Sequence, residues 1–386
     1  MDIRYTFSDI PKTASRTVFL SGPSPRDPDV KSWRPEALVL LEKLGFDGTV
    51  YVPEYEDGPK GKDYTDDEQI KWERLTMQSA DIILFWVPRE LKDMPAFTTN
   101  VEFGLYCSSG RVVYGRPDDA PKMNYLDWTA KEKKIKIHSS LEDACKEVIT
   151  RTPNTPRKDG EVFVPSIFWN HSAFKEWYSI QKNAGHELKY ARPLWSFLVG
   201  NGFLFSFALH VEVFIPEENR IKVNEFIIGR TPVVQAVLYE QRQSFLDTKV
   251  VLVKEFRSPG NTSEDGFVYE LPGGSSTTKK SPEKVIVDEV REETGLEIDP
   301  DSIVQLNNRQ GMGTFSIHKQ GLFCAPLSGK DIQHLIDTKD QVRGVEADSE
   351  RTTVVVKTVR EIFNSSLVDF ATLGMITEAL LYKTNQ

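Results

Sequence analysis

The sequence predicts an α/β protein in two parts: a parallel β-sheet with helices on both faces, then a mixed α/β domain of a different kind. Three observations carry this expectation. Strand-like and helix-like segments alternate over residues 1–150. The run Asp81–Val87 (DIILFWV) is continuously apolar after its first residue, as a strand buried on both faces requires. From about residue 203 the alternation gives way to successive strand-like runs, then a helix, further strands and a closing helix.

The elements follow in chain order. Thr17–Leu20 is short and apolar and runs into Ser21, Gly22 and Pro23. Pro35–Leu44 has helical spacing and stops at Gly45. Thr49–Val52 reads as a strand, with a polar loop to about Tyr64. Asp66–Ser79 reads as a helix whose first turn carries acids, matching the helix dipole. Thr98–Ser108 reads as a helix, Arg111–Tyr114 as a strand, and Ser139–Ile149 as a helix capped by its serine. In such a sheet ligands collect beyond the C-terminal strand ends.

Arg151–Gly160 (RTPNTPRKDG) is rich in proline and charge and reads as a linker. The aromatic-rich residues after it, among them Phe168, Trp169, Trp177, Tyr178 and Trp195, read as a connector. Phe203–Phe214, Lys222–Ile228, Val233–Tyr239 and Lys249–Phe256 read as strands, and about Asp369 to Tyr382 as the final helix. The expected division is therefore 1–150, 151–202 and 203–386.

Composition sets the function classes. A chain of 386 residues exceeds most single cores and suits two domains. A net charge of -9 argues against nucleic acid polymers and acidic membrane surfaces as partners, and leaves small anionic substrates open. Cys107, Cys145 and Cys324 are widely spaced and odd in number, which disfavours a disulfide framework or a zinc site. The N-terminus lacks an apolar signal region, and no apolar run is long enough to span a bilayer. A cytoplasmic protein with no membrane partner is expected.

The chemistry concentrates in two places. In the C-terminal half, Ser281, Pro282 and Glu283 form a helix start, and Gly295 a stop. Between them Glu289, Glu292 and Glu293 are spaced i, i+3, i+4 and share one helical face. Clustered carboxylates repel unless a cation joins them, and Mg2+ or Mn2+ with oxygen ligands is the natural partner. A solvated acidic helix is the plainer reading of the same spacing. The run from Gly274 through Lys280, Asp288, Glu289, Val290, Arg291, Glu292, Glu293, Thr294, Gly295 and Leu296 resembles the Nudix box, G-x5-E-x7-R-E-U-x-E-E-x-G-U with U apolar. Glu270-Leu271-Pro272-Gly273-Gly274 precedes it, and VVLVKEFRSP upstream and the acidic loop before Arg351 resemble the ADP-ribose pyrophosphatase branch.

This resemblance covers roughly 205–386 and implies a Nudix α/β/α sandwich. It implies Glu289, Glu292 and Glu293 as metal ligands with the Gly273 carbonyl, Glu289 as catalytic, and Glu350 or Asp348 as a further acid on a late loop. Arg257 is a candidate for substrate phosphate or ribose, or a structural ion pair. Two positions depart from the pattern: Lys280 stands where the family has glutamate, and Asp288 where it has arginine. With the signs exchanged, the two residues are expected to form a reversed ion pair that keeps helix and loop in register.

In the N-terminal half the informative residues are Phe19 to Pro23, Pro25-Arg26, Ser32-Trp33-Arg34, Val52-Pro53-Glu54, Trp72-Glu73, Phe85 to Arg89 and Thr98 to Gly104. A Ser-Gly-Pro turn after the first strand offers Ser21 and backbone N–H groups, with Arg26 near, to a phosphate or sugar. Together these residues resemble the nucleoside 2-deoxyribosyltransferase-like family over about 16–150. That family implies a flavodoxin-like fold, Glu102 as a carboxylate nucleophile at an N-glycosidic bond, and a role for Asp81 at the head of the central strand. Gly22, Asn100 and Trp86 complete the expected substrate set. Plainer readings stand beside these: Glu102 complementing a helix dipole, Asp81 as a cap, Trp86 as core. The loop before Glu102 reads Met94-Pro95-Ala96-Phe97, without the aspartate that transferases of that family carry there.

A domain that releases bases and one that cuts diphosphates share nucleotides as a substrate class. A bifunctional enzyme on a small nucleotide substrate such as ADP-ribose, forming a homodimer as relatives of both domains often do, is the expectation. A nucleotide sensor with one or both sites degenerate is the alternative.

Overall fold

The computed structural model describes residues 1–27, 29–56, 65–200, 202–275, 280–344 and 350–384. The chain forms two compact units, Met1–Gly229 and Arg230–Gln386.

The first unit is built on a six-stranded parallel sheet. Its strands are β1 (Asp2–Tyr5), β3 (Thr17–Ser21), β4 (Thr49–Val52), β5 (Ile82–Trp86), β6 (Val112–Gly115) and β7 (Ile137–His138), in the order β1-β4-β3-β5-β6-β7. The helices are α1 (Arg34–Lys43), α2 (Asp66–Ser79), α3 (Phe97–Tyr106), α4 (Asn124–Glu132) and α5 (Leu141–Arg151). Side chains alternate across a strand, so each strand feeds two cores. Val18, Leu20, Ile82, Leu84 and Val113 meet α1 and α5 through Ala37, Leu41, Ala144 and Val148. Phe19, Ile83, Phe85 and Tyr114 meet α2, α3 and α4 through Trp72, Met77, Phe103 and Leu126. That two-sided burial is why the central strand is an unbroken apolar run.

The stretch expected to be a linker is part of this unit. β2 (Thr13–Ala14) pairs with β8 (Arg157–Lys158). Arg157 is fully buried and grips Asp81 through two hydrogen bonds, of 2.8 and 2.6 Å. Beyond it, α6 (Ser166–Trp169) and α7 (Ser172–Asn183) pack an aromatic group of Trp169, Phe174, Trp177 and Tyr178. The strands β9 (Glu187–Val199), β10 (Phe203–Ile215) and β11 (Arg220–Arg230) form a sheet in the order β11-β10-β9, with β9 and β10 antiparallel. The expected boundary at 203 falls between β9 and β10, which pair from Phe203–Val199 to Phe214–Glu187; the units divide instead after Gly229.

The second unit carries a mixed sheet. Its strands are β12 (Val233–Glu240), β13 (Lys249–Glu255), β14 (Val268–Glu270), β15 (Gly273–Gly274), β16 (Val304–Gln310), β17 (Lys319–Pro326) and β18 (Thr352–Thr358). β12 runs parallel to β17 and antiparallel to β13, and β13 also pairs with β14 and β18. The helices are α8 (Pro282–Thr294), α9 (Gly329–Asp337), α10 (Val359–Phe363) and α11 (Phe370–Thr384). Val234, Ala236, Leu238, Val251 and Phe323 face α8 and α9 through Val285, Ile286, Val290, Ile332 and Leu335. Val237, Tyr239, Val250, Leu252 and Cys324 face α10 and α11 through Val359, Ile362, Ile376 and Ala379. The result is helices on both faces of a mixed sheet. The three cysteines are buried, and among the described residues none forms a disulfide. Among the described residues no helix is long and apolar enough to cross a membrane.

Candidate active sites

In the first unit, β3 ends at Ser21 and the chain turns through Gly22 beneath Trp33 and the Trp86 carbonyl, leaving no room for a Cβ there. The turn is held by Arg34, at the start of α1. Its guanidinium, 1 % exposed, donates to the carbonyls of Leu20 (3.1 Å) and Gly22 (2.7 Å) and to Glu54 (2.6 Å). Across the C-terminal strand ends, α3 follows its cap residue Ala96, which holds a left-handed backbone (φ 60°) uncommon for a residue with a side chain. This start directs Glu102 back to β3, where Ser21 Oγ donates to its carboxylate at 2.6 Å.

Glu102, Gly22, Arg26, Arg34, Asp66 and Glu73 line one cavity of about 410 Å³. Burial pushes the Glu102 carboxyl up to about 7; the Ser21 hydroxyl works against that rise and nearby Glu73 adds to it. Glu73 is itself raised, first by burial. Two acids in one cavity with elevated affinities for protons suit a division between an ionised and a protonated member.

The structure therefore brings Ser21, Gly22, Arg26 and Glu102 together. It does not bring in the other expected residues. Asp81 lies at the opposite, N-terminal end of β5, enclosed by Arg157 and by the backbone N–H groups of Thr17 and Ser166. Its carboxylate is fully used in holding the unit together, so the catalytic assignment is corrected to a structural one. Trp86 is 6 % exposed and packed in the core against α1 and α5, so it offers no face to a base. Asn100 accepts from Arg89 and lines a different cavity. Arg34 and Glu73 carried no expected role; their signal in the sequence was their place in the Ser32-Trp33-Arg34 and Trp72-Glu73 motifs of the family resemblance.

In the second unit, β15 brings Gly273 and Gly274 against α8. The Gly273 N–H donates to Glu293 Oε2 at 2.8 Å. A Cβ at Gly274 would collide with the Glu289 carboxylate, which explains the second glycine. Burial pushes Glu293 up to about 9 against the Gly273 hydrogen bond, with Glu289, Glu350 and Glu270 adding to the rise. Burial also pushes Glu289 up to about 7, with Glu292, Glu350 and Asp288 adding to it. Glu255, absent from the expected set, rises to about 6 by burial.

Arg257 sits among these acids. It pairs with Glu255 at 2.7 Å, Glu270 at 3.5 Å and Glu350 at 3.6 Å. Asp348 lies outside the described residues. Glu292 is on the exposed flank of α8, its side chain 42 % accessible. Among the described residues no three His, Cys, Asp or Glu side chains converge as a metal-binding group, so the expected ligand set is not assembled as drawn. The donors still fit a hard divalent cation in kind: oxygen-bearing, clustered, and raised by desolvation and mutual repulsion that such an ion offsets. The reversed pair forms, with Lys280 Nζ 2.7 Å from Asp288 Oδ2. Asp288 also meets Arg291 at 3.5 Å.

Residues 15–120 match the family model described as nucleoside 2-deoxyribosyltransferase like. The match ends within the first unit and covers its Glu102 cavity. No curated protein matches the chain.

Proposed function

We propose, taking the nucleoside 2-deoxyribosyltransferase-like domain at residues 15–120 as premise, that the chain is a bifunctional enzyme of nucleotide processing. The first unit cleaves or transfers at the N-glycosidic bond of a nucleoside or nucleotide. The observation that carries this is the Ser21–Glu102 contact in a cavity beyond the strand ends. Ionised Glu102 attacks C1′ of the sugar as the C1′–N bond breaks, and the departing base takes its proton from Glu73. Water or a second base then attacks C1′ and frees Glu102, giving hydrolysis or transfer respectively. Ser21 holds the nucleophile by donating to one oxygen. Arg26 offers charge to a phosphate. Glu73 supplies an acid from α2, where the loop before Glu102 has none.

We further propose a Nudix-type diphosphate hydrolase in the second unit, acting on a nucleoside diphosphate derivative such as ADP-ribose. Glu289 and Glu293, with Glu292 and the Gly273 carbonyl, would hold Mg2+ or Mn2+, which supplies charge neutralisation and an activated water when bound. Gly273 and Gly274 allow the acids to approach the backbone, and Lys280 with Asp288 keeps α8 against its loop. A sensor reading of this unit is favoured by one observation: Arg257 already pairs with Glu255, Glu270 and Glu350, placing a positive charge inside the acid group.

The test supplies a deoxynucleoside monophosphate with and without a second free base, and separately ADP-ribose with Mg2+. Free base alone identifies a hydrolase, and a new nucleotide a transferase. AMP and ribose phosphate from ADP-ribose identify the second activity. Binding without turnover in both assays makes the chain a sensor and overturns the proposal.

A further inference from the structure

A second cavity of about 450 Å³ lies on the other side of α3, lined by Arg89, Asn100, Cys107, Lys122, Tyr125 and Trp128. Arg89 is 8 % exposed. Its Nη1 donates to the Lys122 carbonyl at 2.7 Å and its Nη2 to the Asn100 amide oxygen, while its Nε has no partner. Both acceptors are neutral. Among the described residues no carboxylate pairs with it, whereas the buried Arg34 and Arg157 have Glu54 and Asp81. A buried charge without a counter-ion is costly, and burial holds this guanidinium below its ordinary range. Lys122 adds a second cation from a left-handed backbone (φ 57°), against the lone acid Glu132 at the same cavity.

The aromatic part is as specific. Tyr125 and Trp128 are three residues apart on α4 and so share a face. They are 80 % and 62 % exposed while lining the cavity. Rings held in water beside a cationic floor suit a planar heterocycle that carries an anion: stacking recognises the ring and arginine recognises the anion.

We propose that this cavity is a second small-molecule site that binds a nucleoside monophosphate, the base against Tyr125 and Trp128 and the phosphate toward Arg89 and Lys122. It is separate from the Glu102 cavity, which takes Thr98, Thr99 and Glu102 from α3 where this one takes Asn100, Phe103 and Cys107. The proposal does not rest on the reading of that cavity.

Calorimetric titration of the full chain with AMP, without divalent metal, tests it. An AMP-binding event should persist in Arg26→Ala, which alters the Glu102 cavity, and weaken about tenfold or more in Trp128→Ala and Arg89→Gln. Adenosine, lacking the phosphate, should bind about tenfold more weakly than AMP. Trp128 is exposed, so Trp128→Ala decides the matter if Arg89→Gln fails to fold. AMP binding that is unchanged in Trp128→Ala, or lost only in Arg26→Ala, overturns the proposal. So does a change of sedimenting mass in Trp128→Ala, which would place these rings at a contact between copies.

Discussion

At the scale of single residues, Glu102 and Asp81 show how the surroundings of a carboxylate set what it meets. Glu102 faces a cavity and keeps one hydroxyl partner; its carboxyl rises to about 7 because burial penalises the charge. As the proposed nucleophile it must be ionised, so base release should increase with pH through about 7. Ser21→Ala removes a donor that favours the carboxylate, and the acid limb of the kcat/KM profile should move to higher pH. A limb that stays in place would show that Glu102 does not govern it. Glu73→Gln should lower kcat by about a hundredfold with bases that leave only when protonated. Asp81, by contrast, is enclosed by Arg157 with no exposure of either side chain. Asp81→Ala should cost about 3–5 kcal/mol in denaturant unfolding, because it strands a buried guanidinium. If unfolding is unaffected and only turnover is lost, the structural assignment of Asp81 fails.

At the scale of elements, α8 and β15 form one device. Helical spacing puts Glu289 and Glu293 on the side facing β15, and two glycines let the backbone come close enough to meet them. Gly274→Ala should leave unfolding in the absence of metal nearly unchanged, since the colliding carboxylate is the end of a flexible side chain. It should abolish the rise in Tm expected on adding Mg2+ to the unaltered chain, which thermal unfolding with and without the ion will read. The Lys280–Asp288 pair is half exposed, so its role is geometric rather than energetic. Lys280→Glu sets two acids against each other at the loop, and adding Asp288→Arg should restore the Mg2+ response. A double variant no better than either single one would remove the pairing argument.

At the scale of the whole molecule, three raised carboxyls set a common pH dependence. Glu102, Glu289 and Glu293 have folded values of about 7, 7 and 9 against an ordinary 4.5. A raised acid binds more protons in the folded state, so its contribution to stability is complete below about 4.5 and is lost as pH rises through the folded value. The metal-free chain should thus lose stability from about pH 4.5 toward about pH 9. A divalent cation bound at Glu289 and Glu293 favours their ionised forms, so the stabilisation by Mg2+ should grow over the same interval and disappear in Glu293→Gln. A Tm increment independent of pH would contradict metal binding at these acids.

The sequence by itself determined the two-part α/β architecture, because apolar runs and helical spacing are local consequences of which faces must be buried. The Ser-Gly-Pro turn and the family resemblance put Ser21, Gly22, Arg26 and Glu102 in one expected set, and these four meet at one cavity while Asp81, Asn100 and Trp86 of the same set do not. The Lys280–Asp288 pair was legible too, eight residues apart and bound within one loop and helix. Only the tertiary structure decided the rest. It turned Asp81 from a reactive group into a buried anchor, because Arg157, distant in sequence, encloses it. It drew residues 151–229 into the first unit through that contact and through the pairing of β9 with β10. It supplied Glu73 and Arg34 to the Glu102 cavity and Glu255 to the acid group of the second unit. In each case the deciding partner comes from another element, and no local pattern of apolar spacing or capping records which distant charge a side chain will meet.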